Sequence, residues 1–150
     1  MEVRWRDYVW KGPRPVVGPD EVEKLEAAWG VRLPEEYRST AHLRHGMAPE
    51  PNVFDIGEGA NVFNNMLTLT SGRHEIAYAI STTYELIKPY VPSGIYPFGT
   101  TPGGEYLCFD YRESSTGQPG VVLVTIEMEI YHVADSFREF WRGCTRCVSD

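Results

Sequence analysis

The sequence predicts an α+β fold, and three observations carry that prediction: a helix start near each end of the chain, and a series of short apolar segments between turn residues in the second half. The first start is Leu33-Pro34-Glu35-Glu36-Tyr37-Arg38. Its proline suits the opening helical position, and its glutamates meet the positive end of the helix dipole. The second is Ser136-Phe137-Arg138-Glu139, an S-x-x-E capping box, after which Phe137, Phe140, Trp141 and Cys144 share one apolar face. The apolar segments are 95–98, 106–111, 121–126 and 128–133. The expected architecture is two N-terminal helices, a central mainly antiparallel sheet, a middle helix, and a C-terminal helix packed on the sheet.

Each element has its own signal. Before Gly18, basic residues mix with Trp5, Tyr8 and Trp10 and the chain breaks at Gly12-Pro13 and Pro15, so 1–17 reads as an N-terminal arm of a single domain spanning 1–150. Val22, Leu25, Ala28 and Trp29 then keep helical spacing until Gly30, a residue suited to ending a helix. The second helix is expected over 34–45, burying Tyr37, Ala41 and Leu43, with Gly46 as its stop. In the Asn-, Gly- and Pro-rich stretch from 49 to 72, only 53–56 and 66–69 have strand character. Ile76, Ile80, Thr83 and Ile87 predict a helix over 74–88, and the β-branched run at Thr82-Thr83 offers a strand as the alternative for its second half.

The four strand segments are separated mainly by turn residues, as at Thr101-Pro102-Gly103-Gly104 and Thr116-Gly117-Gln118-Pro119-Gly120, and connections this short join antiparallel strands. Val121 to Val124 are apolar without alternation, which suits a strand covered on both faces. Glu127 and Glu129 alternate with Met128 and Ile130, which suits a strand wetted on one side.

With 150 residues, 42% hydrophobic and 13% aromatic, the chain has core material enough to fold without metal or disulfides. It has no apolar leader and no run of ~20 apolar residues, and its odd count of three cysteines fits reduced thiols. A cytoplasmic protein with no membrane partner is expected. The net charge of −7 is concentrated: residues 51–135 hold ten acids and three bases, and the rest hold eleven of each. Nucleic acid is a poor partner for such a surface and a basic protein a better one, while solubility alone is the plainer explanation.

Chemical candidates are weak. Cys144-Thr145-Arg146-Cys147 is half a zinc site with no second half. His42 and His45 lie three apart and lack a third ligand. Cys108, in an apolar strand pattern, is expected to be buried and inert as a nucleophile. Gly103 and Gly104 lack the Gly-Lys-Ser/Thr of a phosphate loop and read as turn residues. Asp110 reads as the organiser of a turn or the partner of a cation. No catalytic residue, metal or cofactor is expected.

Taken in order, the Gly30-terminated helix, Leu33-Pro34-Glu35-Glu36-Tyr37-Arg38, Tyr96-Pro97-Phe98-Gly99, Gly103-Gly104-Glu105-Tyr106-Leu107-Cys108-Phe109-Asp110 and Val133-Ala134-Asp135-Ser136-Phe137-Arg138-Glu139-Phe140 resemble the SUKH superfamily over about 18–144. It departs from the usual pattern at Thr40 and Ala41, where bulky apolar residues are common, and at Arg44-His45-Gly46-Met47, which replaces an Asn-Gly-Gly ending. The resemblance implies a small α+β protein, often a bacterial immunity protein that neutralises a protein toxin such as a basic nuclease or deaminase, with a fungal cell-wall regulator also in the family and no shared catalytic residue. The function expected is noncatalytic toxin binding; a regulatory scaffold is the alternative, and an unrecognised hydrolase a remoter one. Asp55, Glu58, Glu105 and Glu113 are the expected steering acids, and Tyr96, Tyr106 and Tyr111 the expected aromatic anchors.

Overall fold

A computed structural model of the chain describes residues 3–114 and 117–145. It opens on a strand that the sequence does not announce: β1 (Arg4–Asp7) pairs antiparallel with β2 (Met47–Glu50), Trp5 opposite Pro49. Trp5 also stacks on Trp141 with ring centroids 5.6 Å apart, so the arm lies against the C-terminal helix.

Helix α1 (Asp20–Trp29) ends where expected, because Gly30 takes a φ of 69° and its N–H reaches the Glu26 carbonyl at 2.8 Å. Helix α2 (Glu35–Arg44) begins one residue later than expected. Pro34 is extended at ψ 143° and caps the helix from outside, its carbonyl accepting the Arg38 N–H at 2.9 Å. Tyr37 and Ala41 are buried, but Leu43 is 51% exposed, because only one stripe of this helix meets the core. Glu26 joins the two helices, accepting the Leu33 N–H at 2.8 Å and pairing with Arg38 at 3.3 Å.

The Asn- and Gly-rich stretch holds more strand than its composition suggests. A hairpin of β3 (Val53–Ile56) and β4 (Gly59–Val62) turns at Gly57, φ 56°. Next, β5 (Asn65–Met66) is all that forms of the strand expected over 66–69. The middle helix is likewise shorter than expected: α3 (Ile80–Ile87) is preceded only by a 3-10 turn at Ile76–Tyr78. The reason is backbone competition. Thr68 donates to the Tyr78 carbonyl at 2.9 Å and accepts from the Ile80 N–H at 3.0 Å, so those two groups serve a bridge between segments instead of an earlier helical turn.

Four more strands, β6 (Ile95–Thr100), β7 (Tyr106–Asp110), β8 (Gly120–Val124) and β9 (Ile130–Ala134), complete an antiparallel sheet in the order β5-β6-β7-β8-β9. Met128 is not part of a strand. With φ 66° it sits in the turn that closes when Thr125 donates to the Glu129 carbonyl at 2.9 Å, so the alternation around Glu127 and Glu129 belongs to a tight connection.

Sheet alternation builds two cores. Leu107, Phe109, Val121 and Leu123 face the larger one, shared with Tyr37, Phe63, Phe98, Phe137 and Phe140, while Cys108, Val122 and Val124 face a smaller one with Ile87 and Ile95. Helix α4 (Phe137–Thr145) lies on the larger side with Phe137, Phe140 and Cys144 buried. Half of its expected capping box is formed, the Glu139 N–H donating to Ser136 Oγ at 3.1 Å. The protein is α+β, with helices before and after the sheet. No helix among the described residues is long and apolar enough to cross a membrane.

Candidate partner-binding surface

Strand β3 alternates, so Phe54 enters the core against Phe140, ring centroids 5.4 Å apart, and Asp55 faces out. That packing sets the hairpin beside the start of α4. A groove of about 260 Å³ forms there, with Asp55 from β3, Asp135 from the turn after β9, and Glu139 from the first turn of α4 along it. The basic group in this groove is His132, whose Nε2 lies 3.2 Å from Asp135 Oδ1. Three carboxylates against one imidazole make a local negative potential that draws cations toward the groove.

Asp55 was legible in the sequence, whereas Asp135 and Glu139 were not among the expected steering acids. Their local signals speak only of a turn and a helix cap; what joins them to Asp55 is the long-range docking of the β3–β4 hairpin on α4. Glu58 sits at the exposed tip of that hairpin. Glu105 has a structural occupation: its Oε1 accepts from Asn61 Nδ2 and Thr101 Oγ1, each at 3.0 Å, tying β4 to the β6–β7 turn. Glu113 is exposed in the turn after β7, at the opposite end of that strand from Glu105.

The three tyrosines divide between the two sides of the sheet. Tyr106 packs against the smaller core. Tyr96 and Tyr111 join Trp29 and Tyr84 in a stack at the sheet's edge, with Trp29 and Tyr96 4.5 Å apart at 19°, Tyr84 5.5 Å and Tyr111 5.9 Å from Tyr96. Their hydroxyls point home: Tyr96 donates to the Trp29 carbonyl at 3.3 Å, Tyr111 to the Arg32 carbonyl at 2.6 Å. Lys88 lies 5.6 Å over the Tyr84 ring, a cation–π contact. Trp29 and Tyr84 were missed because the stack draws on α1, α3, β6 and the residue after β7, which no sequence window spans.

The chemical candidates resolve into structural roles. Burial pushes the Cys108 thiol well above its ordinary range and the Cys144 thiol up to about 12, so both are protonated near neutrality. Cys147 lies outside the described residues. His45 does not share a helical face with His42: it is the residue after α2, fully buried, its Nδ1 accepting the Leu69 N–H at 3.1 Å. Asp110 organises the turn after β7, accepting the Arg112 backbone N–H and its guanidinium Nε at 3.0 Å each; that partnership holds its carboxyl below the usual range against the opposing effect of burial. Gly104, φ 81°, donates to the Thr101 carbonyl at 3.1 Å as a turn residue.

No curated protein and no solved structure matches the chain. The family model of SMI1 / KNR4 (SUKH-1) matches residues 17–143, a span that takes in α1 to α3, α4 up to its last two residues, and all but β1 of the strands just described, and the chain therefore belongs to the SMI1 / KNR4 (SUKH-1) family.

Proposed function

We propose that this protein is an immunity protein: a noncatalytic binder that neutralises a basic toxin domain of a polymorphic or contact-dependent system by docking on it in the cytoplasm. Membership of the SMI1 / KNR4 family over residues 17–143 carries the reading, since toxin immunity and regulation are what that family supports in general. Three physical features agree with it. The excess negative charge is concentrated in the middle of the chain. Asp55 and Asp135 bring part of it into one groove, where Glu139 of α4 joins them, with Glu58 at the adjoining hairpin tip. At the aromatic edge the half-buried rings of Trp29, Tyr84 and Tyr111, packed around the buried Tyr96, offer an apolar surface of the kind that anchors protein interfaces.

Among the residues expected from sequence, Asp55 and Glu58 are the steering acids of this proposal and Glu113 a secondary one. Glu105 acts by holding the hairpin in place. Tyr111 is an edge anchor, Tyr96 is buried and supports it from within the stack, and Tyr106 lies on another side.

The test is co-expression with the toxin encoded beside the gene, scored by growth rescue and by binding of the purified pair. Replacing Asp55, Asp135 and Glu139 together by lysine is expected to slow association by roughly 10- to 100-fold at low salt and to reduce the salt dependence of the rate. Rescue by the native chain with no effect of the triple variant would remove the groove from the interface. Failure of the native chain to bind or rescue would leave the family's regulatory role as the better account.

A further inference from the structure

The five-stranded sheet has two edges, β5 and β9, and only one of them is protected. β5 is two residues long, Asn65–Met66, and β1, in the small sheet of the arm, carries three charged residues in four. Shortness and charge are the ordinary guards of an exposed edge. β9 has neither. Its five residues, Ile130-Tyr131-His132-Val133-Ala134, include no lysine, arginine, carboxylate or proline and are rich in β-forming types. The register shift between Val121 and Val122 falls toward the C-terminal end of β9, which leaves Ile130 to His132 in regular pairing.

The alternation of an antiparallel ladder says which backbone groups are free. The Thr125 N–H donates to the Glu129 carbonyl at 2.9 Å, so those two residues form a hydrogen-bonded pair. Along the register the next such pair is Tyr131 with Leu123. Ile130 and His132, opposite Val124 and Val122, therefore turn their N–H and C=O groups away from β8. No strand lies on that side of β9, and no hydrogen bond among the described residues reaches those four groups. Tyr131 and His132 are exposed. From His132 onward the strand borders the acidic groove, with Asp55 of β3 across it, Glu139 on the α4 side and Asp135 just past the strand's end.

We infer that the basic protein partner adds an extended segment, antiparallel, to the outer edge of β9. Its side chains then alternate: those on the α4 side reach toward Asp55 and Glu139, and those on the other side lie beside Ile130 and His132. A segment with lysine or arginine at every second position fits, main-chain pairing supplying affinity and the carboxylates selecting the partner. A second copy of this chain fits poorly. An antiparallel pair centred on His132 would set Glu129 of one copy against Asp135 of the other and bring two acidic grooves together. The inference rests on the proposed function for its basic partner, and adds how that partner's backbone is held.

The experiment titrates the whole chain with the peptide acetyl-Lys-Thr-Lys-Thr-Lys-amide while following the backbone N–H groups of Ile130 and His132 by NMR. A saturable shift of both, with a Kd of roughly 0.1–1 mM, is expected for so short a probe. Methylating the threonine amides, which face β9 in this register, is expected to weaken binding by about tenfold or more. Methylating the lysine amides, which point away, is expected to cost about threefold at most, at identical charge. His132→Pro, which spares the β8 ladder because that N–H points outward, is expected to lose about tenfold or more. Equal losses from the two methylated peptides, or a titration that leaves both amides unmoved, overturns the inference on the native chain, whatever the variant does. Peptide binding with the expected pattern but no toxin binding would sink the toxin reading and leave the edge standing; toxin binding that leaves both amides unmoved would do the reverse.

Discussion

Two aromatic assemblies lie on this scaffold, and they differ in what their rings carry. In the larger core, Phe98 meets Phe109 at 4.5 Å, Phe137 at 5.3 Å, Phe140 at 5.7 Å and Phe63 at 6.0 Å, all within 3% exposure. At the edge of the sheet, Trp29, Tyr84, Tyr96 and Tyr111 pack at similar spacing, but the hydroxyls of Tyr96 and Tyr111 reach backbone carbonyls at the junction of α1 and α2. The core therefore holds by burial alone, and the edge by burial combined with polar pinning. Tyr37 breaks the rule. It sits among the phenylalanines at 1% exposure, and among the described residues its hydroxyl has no hydrogen-bond partner.

The largest expected effect breaks the core. Phe98→Ala removes the ring at the centre of five others, Tyr37 included, and a loss of about 3–5 kcal/mol is expected in chemical denaturation. Tyr84→Ala at the half-exposed edge is expected to cost about 1–2 kcal/mol, the value of lost stacking and partial burial. Equal costs would mean that the edge stack is a second core and not a surface.

Removing a single hydroxyl sharpens the comparison, because the same chemical change is expected to have opposite signs. Tyr111→Phe gives up the 2.6 Å bond to the Arg32 carbonyl, with an expected loss of about 1 kcal/mol. Tyr37→Phe gives up nothing and relieves a buried unpaired oxygen, so its stability should be unchanged or higher by up to about 1 kcal/mol. Paired thermal melts decide this, and a destabilised Tyr37→Phe would show that the hydroxyl does have a partner.

The same contrast explains what could be read from the sequence. The stripe of Phe137, Phe140 and Cys144, the stop at Gly30 and the uniform Val121–Val124 run were legible because periodicity and cap chemistry are local. β1 was not, since Arg4–Asp7 is short, carries one apolar residue in four, and becomes a strand only by pairing with Met47–Glu50. The middle helix was overextended because Thr68 claims the backbone of Tyr78 and Ile80 from a distance. The candidate surfaces divide likewise. Single exposed acids such as Asp55 follow from strand alternation, whereas the groove and the four-ring stack each join residues from distant segments.

The smallest expected effect concerns Tyr96, where stability and docking can be separated. Its hydroxyl reaches the Trp29 carbonyl over 3.3 Å, a long bond, so Tyr96→Phe is expected to cost only about 0.5 kcal/mol while the ring stays stacked on Trp29. The hydroxyl faces inward, so partner affinity should stay within twofold of the native value, whereas Tyr96→Ala should weaken both stability and binding by collapsing the stack. A tenfold loss of affinity in Tyr96→Phe, with stability changed by no more than this amount, would place the hydroxyl in the interface and move the edge from an apolar anchor to a hydrogen-bonding one.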